Sequence, residues 1–364
     1  VAEAVVEHDT AALGSSGDLP HATTREERVS TYERRRQHLL QADSAYRNML
    51  KSGSRALRKL GNGDAQGLTL AGEMVSKLDS VIQMDRVTIA LIELMNANDM
   101  EESQQFHAIN VCVLSTLVGR EFGLSQQEIQ ELGLGALSHD LGLLHPVKEV
   151  RIVDGRFVPD PHDEKRHPQR GGEIAQGISG FPARAANVIL QHHERLDGSG
   201  YPAGLREEAT DLFAQIVGVV DEYDERCNNP DRTRALTPYE TLSQMYHETT
   251  VTKRSGCSEK VLVTLIHVLG VYPPGTLVEL DDGRIGKVVG IDLAQRARPQ
   301  VMLYSNEVGS GEALIVDLAH ENGSIARSLR PNDVRAELHS FFQPDRPQGY
   351  FPLLIDDSPV ATPA

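Results

Sequence analysis

His192-His193-Glu194-Arg195-Leu196-Asp197-Gly198-Ser199-Gly200-Tyr201-Pro202 is the stretch from which the rest of the chain can be read. Two adjacent imidazoles close an apolar, helix-like run over residues 185–191, and a turn rich in Gly and Pro follows at once. Histidines beside a glycine loop read as metal ligands next to a place where a substrate can approach the backbone. One pair cannot complete a metal site. The remaining candidates in the chain are His107, the dipeptide His139-Asp140, His167 and Asp221.

Each candidate falls on a helical pattern that is otherwise apolar. Over residues 104–122, His107, Val111, Leu114 and Val118 share one face. The run over 129–141 is rich in Gly and Leu and ends in His139-Asp140. His167 lines up with Gly171 and Ile174, and Val188, Ile189, His192 and His193 form one inward face. Phe213, Val217, Val220 and Asp221 share a last stripe, with Asp224 one turn on. A single inward histidine is ordinarily a hydrogen-bonded core residue, and a single inward aspartate a cap or an ion-pair partner. Asp140 and Asp221 weaken that reading, because an unpaired carboxylate in a core costs several kcal/mol and no Lys or Arg lies on the matching stripes. Five helices that each deliver such a group point to a metal site.

Imidazoles and carboxylates without thiolate suit iron, manganese, zinc or nickel, and the candidates exceed what one four-coordinate ion can use. Two ions about 3.5–4 Å apart, joined by a carboxylate, suit phosphoester hydrolysis. The competing chemistry, an oxygen-activating di-iron site, usually carries two Glu-x-x-His motifs on facing helices of a four-helix bundle, a set this chain does not have.

Composition sets the frame. The 364 residues, 40% of them hydrophobic, can bury a large core. A formal net charge of −16 leaves no global basic field for DNA, so an anionic ligand must be held by local charge. Cys112, Cys227 and Cys257 are odd in number and far apart, which argues against a disulfide framework and fits a reducing cytoplasm. No apolar run reaches the roughly 18 residues of a membrane span. The chain begins with Val1 rather than Met, which leaves room for sequence upstream.

The order His107, His139-Asp140, His167, His192-His193-Glu194, Asp197-Gly198-Ser199-Gly200-Tyr201-Pro202, Asp221 resembles the HD-GYP family, metal-dependent phosphodiesterases that hydrolyse the bacterial second messenger cyclic di-GMP. The likeness covers roughly residues 101–270, and residues 271–278 resemble the opening of an extra C-terminal segment found in one subgroup. It implies a mainly α fold: a helical HD-type bundle core with an N-terminal helical extension and a small C-terminal β subdomain. It also implies that His107, His139, Asp140 and Asp221 hold one metal ion, that Asp140 bridges to a second, and that His167, His192 and His193 complete the second. The ions are two divalent metals, iron or manganese. A metal-bridging hydroxide would give pGpG, GMP or both, with His139 and Asp140 as the catalytic pair. Asp197, Gly198, Gly200, Tyr201 and Pro202 would line the substrate pocket, with Arg232 and Arg234 as further phosphate contacts. A tight turn chosen for its backbone shape is an equal reading of that loop, a packed core aromatic an alternative for Tyr201, and solvated surface residues an alternative for the two arginines.

Three departures stand out. The family's His-Asp-x-Gly-Lys reads His139-Asp140-Leu141-Gly142-Leu143, so a lysine that would support the phosphate is replaced by Leu143. Ser103 stands where members with three metals carry Glu, with Glu102 one position off, which favours two metals. The segment after Asp221 is also altered. The alternative function is therefore a degenerate member that binds metal or nucleotide and signals through a protein partner such as a diguanylate cyclase; a smaller one is hydrolysis of another cyclic dinucleotide or nucleotide.

The expected organisation is a disordered leader over 1–24, a helical extension over 25–99, the HD-GYP domain over 100–270, a β subdomain over 271–342 and an irregular tail over 343–364. The extension reads as a helical hairpin, residues 26–60 and 68–96, that supports the core or builds a homodimer. Strands are expected over 276–280, 286–291, 300–304 and 314–318, as a small antiparallel sheet or barrel that caps the core.

Overall fold

The computed structural model describes residues 24–96, 104–144, 150–153, 156–159, 165–229, 234–292, 294–330 and 333–342. The leader expected before Thr24, the tail expected over 343–364, and Glu102, Ser103 and Arg232 lie outside the described residues.

Helix α1, Arg25–Gly61, starts at a capping box in which Thr24 accepts from the Glu27 amide and the Glu27 carboxylate accepts from the Thr24 amide. It lies against α2, Gln66–Ile82, and α3, Asp85–Asn96. The extension is thus three helices where a hairpin was expected. The reason lies in the apolar stripe, which steps by four through Leu70, Met74, Leu78 and Ile82 and then jumps by five to Val87. A turn at Met84 absorbs the jump, and the Thr88 hydroxyl donates to the Ile82 carbonyl.

The central bundle follows. Helix α4, Gln104–Glu121, packs on α5, Gln126–Ser138, which opens with a second capping box formed by Ser125 and Glu128. A 3-10 turn, Leu141–Leu144, carries the chain out of α5. A two-stranded hairpin comes next, β1, Val150–Val153, and β2, Arg156–Pro159, paired from Val150 against Pro159. Then come α6, His167–Gly177, α7, Ala183–Gln191, α8, Leu212–Cys227, α9, Pro238–Tyr246, and α10, Glu259–Leu269. One continuous core runs from Ala42 in α1 to Leu269 in α10 and includes Leu78, Val111, Leu137, Ile189, Phe213 and Val217. The extension and the bundle therefore share a core.

The C-terminal part is a five-stranded antiparallel sheet in the order β6-β5-β4-β3-β7. Its strands are β3, Leu277–Leu280, β4, Ile285–Gly290, β5, Gln300–Leu303, β6, Ile315–Asp317, and β7, Ile325–Leu329. Four strands match the expected segments and β7 is an addition; it is an edge strand whose Arg327 and neighbours face solvent, so it lacks a strong apolar alternation. Val278, Val288, Val301 and Val316 fill one face. Val289 and Met302 on the other meet Leu338 and Phe342 of a final helix, α11, Ala336–Phe342, and Tyr32 of α1. No helix among the described residues is long and apolar enough to cross a membrane.

Candidate metal centre

Gly142 explains how the His139-Asp140 dipeptide reaches its partners. A Cβ at that position would collide with the His167 carbonyl oxygen and with the Gly171 amide, so only glycine lets the turn after α5 settle onto the start of α6. That approach places a carboxylate oxygen of Asp140 3.2 Å from His167 Nε2, while its other oxygen lies 3.5 Å from His139 Nε2. Asp140 thus stands between two groups of donors.

The first group is His107, His139 and Asp221, and the second is Asp140, His167, His192 and His193, each with its ligand atoms within 4.8 Å of one another. His107 Nε2 lies 3.2 Å from His139 Nε2 and 3.0 Å from Asp221. His167 Nε2 lies 3.1 Å from His192 Nε2. Such nitrogens either share a proton or, once both rings are neutral, present two lone pairs that a divalent cation can take between them.

The tautomers agree with that reading. His139 Nδ1 donates to the Ala136 carbonyl at 2.7 Å, and His192 Nδ1 donates to the Ile189 carbonyl at 3.0 Å. Both rings therefore turn an Nε2 lone pair inward. His107 Nδ1 is held by Asp224 at 2.8 Å, and Asp224 in turn accepts from Asn110 at 3.0 Å and Asn228 at 2.9 Å. Asp224 is the residue whose role the sequence did not assign. Its spacing of three from Asp221, together with the spacing of three between His107 and Asn110, is the signal that points to it.

The electrostatics follow from crowding. His139 is fully buried, and His167, His192 and Asp221 are each at most 3% exposed. Burial, then the neighbouring His193 and His139, hold His192 well below the usual imidazole range. Burial, then His167, pushes His193 down to about 3. His107 goes the other way: burial alone would lower it, but its bonds to Asp221 and Asp224 hold it well above its ordinary value. Burial would raise Asp140, yet His139, His167 and His192 hold its carboxyl well below the carboxylate range. Desolvation over this cluster, then the Asp221 and Asp140 carboxylates, push Glu225 up to about 8. The donor set fits divalent metal ions: nitrogen and carboxylate ligands only, oriented by backbone carbonyls and by Asp224.

The glycine loop is built for backbone shape as well. A Cβ on Gly200 would strike the backbone of His193, Glu194 and Arg195, and the Tyr201 amide donates to the His193 carbonyl at 3.1 Å. Glu194 is buried and accepts from the Ala203 and Leu205 amides at 2.7 and 2.8 Å. Asp197 is exposed and accepts from the Ser199 amide at 2.9 Å, and Gly198 takes φ of 83°. The Tyr201 ring stacks on His193 with centroids 4.7 Å apart, and the bond to Pro202 is cis. Arg234 is exposed. Leu143 is half-buried in the turn after Asp140. Of the residues singled out from the sequence, the structure thus gathers His107, His139, Asp140, His167, His192, His193 and Asp221, and sets the loop beside them through Tyr201.

Comparison with known proteins agrees with this geometry. Residues 86–251 match the HD domain family. A cyclic di-GMP phosphodiesterase of Pseudomonas aeruginosa is 28% identical over 243 residues, 66% of this chain and 57% of that protein. The cyclic di-GMP phosphodiesterase response regulator RpfG of Xanthomonas campestris is 30% identical over 184 residues, 50% of this chain and 48% of that protein. The chain thus spans about half the length of these curated relatives. An HDG"Y"P protein of Bdellovibrio bacteriovorus shares the fold, with a TM-score of 0.51 and 20% identity over 64% of this chain and 72% of that one. With the paired clusters of candidate ligands, the His-Asp turn and the glycine loop in one place, residues 86–251 carry a match to the HD domain family, and the chain is similar to cyclic di-GMP phosphodiesterases of that kind.

Proposed function

We propose that this chain is a phosphodiesterase that hydrolyses cyclic di-GMP to pGpG, GMP or both, with two divalent metal ions, iron or manganese. One observation carries the reading: two clusters of ligands meet at the single carboxylate of Asp140, beside an open cavity. His107, His139 and Asp221 would hold one ion with Asp140, and His167, His192 and His193 would hold the other with the same Asp140. When bound, such ions supply Lewis acidity toward the phosphodiester and activate water at neutral pH.

The chain's own residues do the rest. The Ala136 and Ile189 carbonyls and Asp224 keep three imidazoles turned inward, so little is reorganised when substrate arrives. The Gly198 to Pro202 loop, pinned through Glu194 and Gly200, keeps Tyr201 on His193 at the edge of the cluster, where its ring can meet a base. The second reading, a degenerate member that acts through a protein partner such as a diguanylate cyclase, is favoured by Leu143 alone.

The test is anaerobic incubation of the purified protein, loaded with iron(II) or manganese(II), with cyclic di-GMP, followed by chromatography beside a His139→Ala control. Formation of pGpG or GMP that the control lacks is expected. No product from protein carrying both ions would overturn the proposal in favour of the partner reading.

A further inference from the structure

The cavity beside the metal centre is not made by the bundle alone. It measures about 390 Å³, within the range of small-molecule sites. Ser54 and Arg58 of α1, with Asn62 just beyond its end, form one wall, and Gln105, Asp140 and Leu144 line the other. The N-terminal helix therefore borders the same space as the carboxylate that joins the two ligand clusters.

Arg58 is the only cation among the described residues of that wall, and its guanidinium makes no hydrogen bond or ion pair with another described residue. Its neighbour Lys59 is spent on Asp64 at 2.6 Å. Both lie in the last turn of α1, where cations offset the helix dipole, but that role does not require a place on a cavity. On the opposite side the lysine expected from the family pattern is Leu143, and the side chain that reaches the cavity is the apolar Leu144. A protein of net charge −16 needs a local cation to hold a dianionic ligand, and a guanidinium suits phosphate through two parallel hydrogen bonds.

We propose that Arg58 is the phosphate-binding residue of this cavity, holding a phosphodiester oxygen of the cyclic dinucleotide so that the N-terminal helix completes the substrate site. This rests on the phosphodiesterase reading above. The helical extension then has a role in recognition in addition to packing, and the cation missing at position 143 is supplied from the facing wall.

Arg58→Ala should raise KM for cyclic di-GMP about tenfold, a loss of about 1.4 kcal/mol, with kcat changed by no more than about twofold. Arg58→Lys should recover part of the loss, since it restores charge without the fork. Metal content and thermal unfolding should not move, and Arg55→Ala, an exposed charge on the same helix outside the cavity wall, should leave KM unchanged. Turnover with a KM that Arg58→Ala does not alter, or that Arg55→Ala raises equally, overturns the inference and leaves the phosphodiesterase reading standing. If the native protein shows no turnover, calorimetric binding of cyclic di-GMP to the metal-loaded chain decides. Binding weakened about tenfold by Arg58→Ala supports the inference while that reading falls, and binding that is absent or unaffected overturns both.

Discussion

Two buried clusters of charge occupy this molecule, and they differ in how the charge is balanced. At the seam between the sheet and the helical extension, Glu93 of α3 receives Arg35 of α1 at 2.5 Å and Lys287 of β4 at 2.7 Å, and Lys287 also donates to the Phe342 carbonyl at 2.7 Å. Burial would raise the Glu93 carboxyl, but Arg35 and Lys287 hold it below its ordinary value. Every formal charge in this triad has a partner supplied by the chain. In the bundle, Asp140 and Asp221 face imidazoles that also face one another, with no Lys or Arg among their ion-pair partners in the described residues. The first cluster is complete and fastens one part of the fold to another. The second sets its carboxylates against imidazoles that can give up their protons to a metal ion, which is what separates a candidate binding site from a structural ion pair.

The contrast predicts a different failure for each cluster. Asp140→Ala should remove both ions and lower turnover by about three orders of magnitude, since the metal contribution is worth several kcal/mol, while the chain stays folded. Elemental analysis that still finds two full equivalents would refute the shared role of Asp140. Glu93→Gln should do the opposite: leaving two buried cations without their carboxylate costs about 3 kcal/mol of unfolding free energy in denaturant titration, with metal content unchanged. Loss of metal in that variant would show that the clusters are coupled.

Asp224→Ala should be milder, about 10- to 100-fold in metal affinity, because it frees the His107 ring without deleting a ligand. An affinity equal to that of the native protein would remove Asp224 from the site. The smallest effect is a pH dependence. In the metal-free protein His107 is held charged, so its contribution to stability is complete below the ordinary imidazole value of about 6.5 and is lost as pH rises through the raised native value. Metal needs its lone pair, so manganese affinity should climb over the same window, by about tenfold per pH unit for one displaced proton. A flat affinity profile between pH 6 and 8 would mean that no proton leaves the site on binding.

The legibility of these features in the sequence follows the range of the interactions behind them. The seven candidate ligands could be read because each falls on or at the end of an apolar helical run, and that signal is local to one helix. Four sheet strands could be read from runs of Val and Leu for the same reason. Asp224 could not be assigned, because its meaning depends on His107, 117 residues away. Glu93 sits in an apolar helix with partners 58 positions before it and, on β4, far after it, so only the fold reveals the triad. Arg58 reads as an ordinary charge at a helix end until α1 is seen to border the cavity. The single helix expected over 68–96 failed for a simpler reason, since the five-residue step at Val87 was the visible sign of the break.

The most direct test of the account is calorimetric titration of manganese(II) into the metal-free chain, with Asp140→Ala beside it. Two equivalents bound by the native protein, with release of protons, and none held tightly by the variant, is the predicted result. A folded native chain that takes up no manganese would mean that the imidazoles and carboxylates of the bundle balance one another, and the distinction between the two clusters would fall.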